Sequence, residues 1–287
     1  MDFLYSYIIL AEIYVLAALS TNLLVGVVGI FSVSQAAVFG VGAYVVAYLL
    51  MNDITGFLPA MVIAGAACVL LNILLTLPSL RVAGDYFVVT SFGIQLLATA
   101  VFTNWNSGTG GANGLPGIPP PDLFGLPVQE TWQFLILATV AAMLGGLCFW
   151  LVMRAPFGRR LRAIREDELA VAAAGKPVLG PKVAAAALAG AFAGCAGGIY
   201  ACFLSFIDPS SFDLDASVLM LTMVVVGGAR TLRGSIIGPF VLLALPQLLA
   251  LVAIPTTIAA AVRQLLYGGL LIAFMLFRPQ GLAGEKL

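Results

Sequence analysis

The sequence has no histidine and very little charge, with 13 basic and 13 acidic residues among 287, or 9%. Without histidine the chain lacks the commonest general base and metal ligand. A soluble domain carries about 25% charged residues. A water-facing surface cannot be built from this supply, so the bilayer is expected as solvent. The net charge of zero says nothing of nucleic acid, and no nucleic-acid partner is expected. The four cysteines (Cys68, Cys148, Cys195, Cys202) lie in apolar stretches without CxxC spacing and are expected as small buried hydrophobes. No metal site is expected. No basic residue precedes Arg81, so the basic n-region of a signal peptide is missing and the first apolar stretch is expected to remain as a membrane helix. No GxxxxGK[ST] run occurs, which excludes ATP binding by the P-loop route.

What is present is apolar: 62% of residues, with a mean hydropathy of +1.10. Nine stretches stand out, at 5–29, 34–51, 57–80, 86–104, 131–153, 183–205, 216–229, 235–253 and 258–277. About 20 apolar residues span a bilayer as a helix, and lipid admits only structures that satisfy their own backbone. Period-2 alternation is absent. The expected fold is therefore all-α, a polytopic membrane helix bundle of about nine segments forming one transmembrane domain over 1–287. The 216–229 stretch is too short to cross and ends in Gly227-Gly228, which predicts a broken helix covered by protein or by a water-filled path. Gly190, Gly194 and Gly198 recur every four residues and predict a close helix contact.

Alternating nine spans sorts the charges. Arg81, Arg154, Arg159, Arg160, Arg162, Arg165, Lys176, Lys182, Arg230, Arg233, Arg278 and Lys286 fall on the side of the C-terminus, and only Arg263 does not. Asp2, Asp53, Asp122, Glu130, Asp208, Asp213 and Asp215 collect opposite. The positive-inside rule makes the first side cytoplasmic. The N-terminus is then outside and the C-terminus inside.

Over half of the basic residues sit in one polar island, 154–182. After Pro156, "FGRRLRAIREDELAVAAAG" reads as one helix closed by Gly175 and Pro177. Leu161, Ile164, Leu169 and Ala172 share a face, and Arg162 and Glu166 stand four apart and can pair. Two placements remain open. The helix can lie on the inner leaflet, its basic residues facing anionic headgroups. Alternatively it docks a cytoplasmic protein, which better suits the acids Glu166-Asp167-Glu168.

"FGRRLRAIREDELAVAAAGKPV" with "KVAAAALAGAFAGCAGGIYA" resembles the coupling-helix region of branched-chain amino acid ABC-transporter permeases, closest to their M-type (LivM-like) subunit. "GIFSVSQAAVFGVGAY", "LRVAGDYFVVTSFGIQLL", "NWNSGTGGANGLPGIP" and "VVVGGARTLRGSIIGP" agree in the family's order. The resemblance implies half of an importer's solute pathway in a bacterial inner membrane. The other half is a second permease, expected to be a different chain. Two cytoplasmic ATPases would carry the ATP and Mg, so no cofactor is expected on this chain. An extracytoplasmic binding protein would deliver the solute. The ATPase grip falls on Phe157, Gly158, Arg159, Arg162, Ile164, Arg165, Glu166 and Asp167. The sequence departs from the family at Gln95, where a Glu is common, and near Thr99, where an Arg follows.

A zwitterionic solute needs donors, acceptors and exposed backbone, which broken helices supply. Candidate path residues are Ser32, Ser34, Gln35, Thr90, Ser91, Gln95, Gly227 and Gly228, each of which can equally bond a neighbouring helix. The glycine- and proline-rich loop within 105–130 is an ordinary lid or a landing surface for the binding protein. Candidates there are Thr109, Gly110, Gly111 and Asn113, with Asp208 and Asp213 on the same side. Urea, short amides or other amino acids are alternative solutes. An ion-coupled carrier or channel is the alternative class, but it usually keeps ionisable groups in its spans, and here these are limited to Glu12, with Asp85 and Arg263 at span edges. A membrane enzyme lacks both a nucleophile–base pair and a metal cluster.

Overall fold

The computed structural model describes residues 2–80, 84–123, 126–128, 130–251, 256–278 and 280–284. Each of the expected nine segments carries a helix among the described residues. They are α1 (Asp2–Thr21), continued as a π-helix over Asn22–Val28, then α2 (Gln35–Met51), α3 (Phe57–Thr76) and α4 (Gly84–Asn104). After the short α5 (Asn106–Thr109) comes α6 (Thr131–Arg154). The polar island holds α7 (Pro156–Glu166) and α8 (Glu168–Ala173). Then follow α9 (Leu179–Leu204), α10 (Leu214–Gly227), α11 (Leu232–Leu251) and α12 (Thr256–Phe277). Five described helices are long and apolar enough to cross a bilayer by themselves: Phe3–Val28, Phe57–Thr76, Tyr86–Asn104, Thr131–Arg154 and Leu179–Leu204.

α10 has 14 residues, roughly 20 Å of helix, so the expectation of a short segment holds. α2 is interrupted as well. Residues 29–34 are non-helical, and α2 begins at Gln35 with buried Ser34 as its N-cap. At the end of 57–80, the α-helix stops at Thr76 and a 3-10 turn covers Leu77–Leu80.

α9 is the central post and packs on α2 and α3. The expected glycine face meets α3: a Cβ at Gly190 would lie 2.4 Å from the Cys68 carbonyl, and one at Gly198 2.5 Å from Met61 Sδ. Gly197 meets α2, 2.1 Å from the Phe39 carbonyl. α1 is mostly buried between α6, α9 and α11, whereas α3, α4 and α6 turn apolar faces outward, with Val62 72% exposed, Val89 70% and Met143 69%. Such faces are at home in lipid or against another membrane chain. Cys68 and Cys202 are buried, Cys148 and Cys195 half-buried, and all four are free.

The polar island differs from its expected form. It is two helices, broken at Asp167, whose carboxylate caps α8 by accepting from Ala170 N at 2.9 Å. Aspartate favours this cap over a mid-helix place because its short side chain satisfies an orphan N–H. The break splits the expected stripe. Leu161 and Ile164 are buried on the bundle, while Leu169 is 82% exposed. Arg162 does not pair with Glu166. It donates to the Met153 carbonyl at 2.9 Å, while Glu166 faces Arg230 at 3.5 Å.

Candidate functional site

Two interrupted helices meet inside the bundle. The first turn of α2 carries N–H groups that no intrahelical carbonyl can satisfy, and the Ser34 side chain does not cap it. Other helices do. Ala36 N donates to Ser217 Oγ on α10 at 3.0 Å, and Ala37 N donates to Gln95 Oε1 on α4 at 3.0 Å. Ser217 Oγ also donates to Gln95 Oε1 at 3.1 Å, and Gln95 Nε2 donates to the Phe212 carbonyl at 2.8 Å. Gln95 therefore ties α2, α4 and the approach to α10 together. An amide suits this place because it accepts from two groups and donates to a third; an ionised Glu cannot donate.

Ser91 Oγ accepts from Val33 N at 3.0 Å, and Ser32 and Ser34 exchange a 3.0 Å bond. Gln35 is 2% exposed, and neither polar atom of its side chain has a partner among the described residues. Five sequence candidates, Ser32, Ser34, Gln35, Ser91 and Gln95, thus converge. Thr90 does not join them and bonds the Tyr86 carbonyl on its own helix. Gly227 and Gly228 lie at the far end of α10. There Gly227 abuts α11, and Gly228 (φ +119°) abuts residues 281–284, with Ala283 N bonded to the Gly227 carbonyl at 2.9 Å. Ser217, a lone hydroxyl in the run "LDASVLML", was missed; its polarity among apolar neighbours is the available signal.

Beside this cluster, Phe39, Tyr44, Phe102, Tyr200 and Phe212 form an aromatic plug with centroid spacings of 5.0 to 6.2 Å. Over it folds the loop side of the molecule. Leu115–Pro116 pairs antiparallel with Phe206–Ile207, bringing together two loops far apart in sequence. Thr109 is buried and bonds the Phe102 and Trp105 carbonyls at 2.6 and 2.7 Å. Gly110, Gly111 and Gly114 take positive φ, and a Cβ at Gly114 would sit 2.3 Å from the Ile207 carbonyl. Asn113 is exposed, as are Trp105 and Phe206, which sequence reasoning missed. Burial pushes the Asp208 carboxyl up, but bonds from Ser210 and Ser211 outweigh it and leave it below the usual carboxylate range. Burial raises the Asp213 carboxyl, which caps α10 by accepting from Ala216 N at 3.1 Å.

At the other end, α7 is clamped to the bundle. Arg165 donates to the Gly26 carbonyl in the π-helix. Gly29, at φ +83°, leaves room for it, since a Cβ there would lie 2.8 Å from Arg165 Cγ. Asn22 accepts from Arg230 N at 2.8 Å and donates to the Thr231 carbonyl at 3.0 Å and Ser235 Oγ at 2.7 Å. Gly158 is buried against the Val152 carbonyl, where a Cβ would come within 2.5 Å, and Phe157 packs on the core. Of the expected grip, Gly158 and Ile164 are therefore internal, Arg162 and Arg165 reach back to the bundle, and Arg159, Glu166 and Asp167 remain outward. Arg160, exposed beside Arg159, was missed.

Asn22→Ala removes three bonds of a buried side chain and is expected to destabilise by about 2–3 kcal/mol, given about 1 kcal/mol per net bond. Thermal unfolding of the purified chain in nanodiscs measures it; a melting temperature equal to the wild type's refutes the brace.

An apolar bundle with two interrupted spans meeting at its centre, and an amphipathic helix clamped on one end, has the build of a membrane permease. A family model described as "Branched-chain amino acid transport system / permease component" matches residues 3–275, and the chain belongs to this family. Its members are transport components rather than enzymes. The chain is 30% identical to the high-affinity branched-chain amino acid transport system permease protein LivM of Escherichia coli, over 95% of this chain and 68% of that protein. The Salmonella typhimurium protein of the same name is 30% identical over 94% and 67%. A probable LivM permease of Methanocaldococcus jannaschii is 26% identical over 88% and 72%. No solved structure matches significantly. The chain is thus a multi-pass membrane permease subunit that works with other transporter components.

Proposed function

We propose that this chain forms half of the pathway of an ABC importer for branched-chain or related hydrophobic amino acids. A second, different permease supplies the other half, an extracytoplasmic binding protein docks on the loop side, and two ATPases holding ATP and Mg work from the α7 side. The α7 end is cytoplasmic, as is the C-terminus, in keeping with the clustering of Arg154, Arg159, Arg160 and Arg230 there. Asn113, Trp105 and Phe206 face the binding protein. Gln95, Ser91, Ser32, Ser34 and Gln35 line the closed path.

The observation that carries this reading is the clamp on α7. A push on α7 reaches the centre by two routes, each a polar contact followed by continuous chain. Arg165 holds the π-helix at Gly26, and the chain runs on through 29–34 to the start of α2. Glu166 holds Arg230 at 3.5 Å, and α10 runs back to Ser217. Both routes end on Gln95. A hydrolysis-driven movement of one helix therefore displaces both interrupted helices together, which is the physical form such coupling takes.

Arg159→Glu with Arg160→Glu tests the docking face, because both side chains are exposed and neither has a bond in the bundle among the described residues. The expected result is an unchanged melting temperature with loss of copurifying ATPase and of ATP-driven leucine uptake. A doubly substituted permease that still copurifies with its ATPases and drives uptake refutes the assignment. Arg165→Glu serves as contrast, since it is expected to lower the melting temperature as well.

A further inference from the structure

Gln35 is the least explained polar group in the bundle. Its carboxamide is almost fully enclosed, with both heteroatoms unpartnered among the described residues. Such a group is unfavourable relative to an apolar side chain, and it sits at the first position of a 17-residue helix whose start is interrupted. The adjacent N–H groups of Ala36 and Ala37 form the positive end of that helix, where an anion is favoured. Their present partners are a hydroxyl and an amide oxygen, both neutral and both on other helices. A carboxylate is a stronger acceptor than either.

We propose that the start of α2 is a recognition site for the carboxylate of the transported solute, made by the Gln35 carboxamide with the Ala36 and Ala37 N–H groups, and that Ser217 and Gln95 occupy it in the closed conformation. This rests on the transport reading above and names the solute class for that path: a carboxylate-bearing zwitterion with an apolar side chain. The N–H groups and the Gln35 amide hold the carboxylate. The neighbouring Phe39 and Phe212 rings suit the apolar side chain. When α2 and α10 separate, Ser217 and Gln95 withdraw and the solute takes their place. A neutral Gln at 95 matters here, since a fixed carboxylate at that position would compete with the solute's own. Urea and short amides lack the anion and are held less strongly, since their neutral carbonyl is a weaker acceptor than a carboxylate.

The test uses the whole complex, with both permeases, the ATPases and the binding protein in proteoliposomes. Gln35→Met replaces an unsatisfied amide by an apolar chain of similar length. The expected result is a melting temperature equal to or above wild type, retained ATP hydrolysis stimulated by loaded binding protein, and leucine uptake reduced at least tenfold. A purely structural Gln35 would lose stability and uptake together, and that outcome overturns the inference, as does wild-type uptake. If Gln35→Met does not assemble, Gln35→Asn keeps the amide but withdraws it by one methylene; reduced uptake supports the site and wild-type uptake overturns it. A wild-type complex that moves urea but not leucine instead overturns the solute reading itself.

Discussion

Replacing Gly190 with leucine is expected to prevent the bundle from assembling. The Cβ of any other residue at 190 would lie 2.4 Å from the Cys68 carbonyl oxygen and 2.9 Å from Val69 Cα, and both obstacles are backbone. They cannot swing aside as a side chain would. α9 cannot shift away from α3 either, because Gly197 already brings it against the Phe39 carbonyl of α2, where a Cβ would meet oxygen at 2.1 Å. The central post is wedged from two sides. Overpacking in a close-packed interior typically costs about 1–3 kcal/mol, so Gly190→Ala is expected to fold with a lowered melting temperature. Leucine adds three more heavy atoms to the same gap and is expected to leave only aggregated protein after detergent extraction. Gly93→Leu on α4 is the control, since nothing lies within 4 Å of a Cβ there; it is expected to extract as a single species. A monodisperse Gly190→Leu protein melting like wild type would refute the packing of α9 on α3.

This glycine face was legible in sequence, as were the nine segments, for one reason. Lipid forbids unsatisfied backbone, so apolar length and glycine spacing translate directly into spans and contacts. The interruption before Gln35 was legible as the gap between the 5–29 and 34–51 stretches. What "GIFSVS" does not tell is that the first N–H groups of α2 are satisfied by side chains of two other helices. The break at Asp167 was misread because "REDEL" has good helix formers on both sides, and the cap that decides the matter is a bond from Ala170 N. The inward bonds of Arg162 and Arg165 were not legible for a different reason. Charge near a docking helix looks outward in sequence, but their acceptors, the Met153 and Gly26 carbonyls, belong to helix ends that need donors. The partnership of Gln95 with Ser217, 122 residues away, leaves no trace in a single sequence beyond the polarity of each member.

Gln95→Leu is the second large effect. It removes the acceptor of Ala37 N, the acceptor of the Ser217 hydroxyl and the donor to the Phe212 carbonyl at once. All are buried, and in a membrane protein water does not replace them. Interhelical bonds in bilayers average about 0.6 kcal/mol and reach about 1.7, while an orphaned buried group costs about 1–3 kcal/mol. Three lost bonds with the α2 start and Phe212 left unpaired put the expected loss at about 2–4 kcal/mol, read as a lowered melting temperature in nanodiscs. Ser217→Ala removes the acceptor of Ala36 N and a donor to Gln95 and is expected to cost about 1 kcal/mol. Because the two residues share a bond, the double substitution is expected to cost less than the sum, by about 0.5–1.5 kcal/mol. Gln95→Glu separates charge from geometry. It keeps the acceptors for Ala37 and Ser217 but turns an oxygen toward the Phe212 carbonyl, and nearby basic side chains are absent among the groups bonded there. Glu is therefore expected to fold less stably than Gln and to transport more slowly, since its carboxylate holds the α2 N–H groups shut. Additive costs for Gln95→Leu and Ser217→Ala would show that the two side chains do not form one latch, and faster uptake with Gln95→Glu would show that the latch is not what the solute displaces.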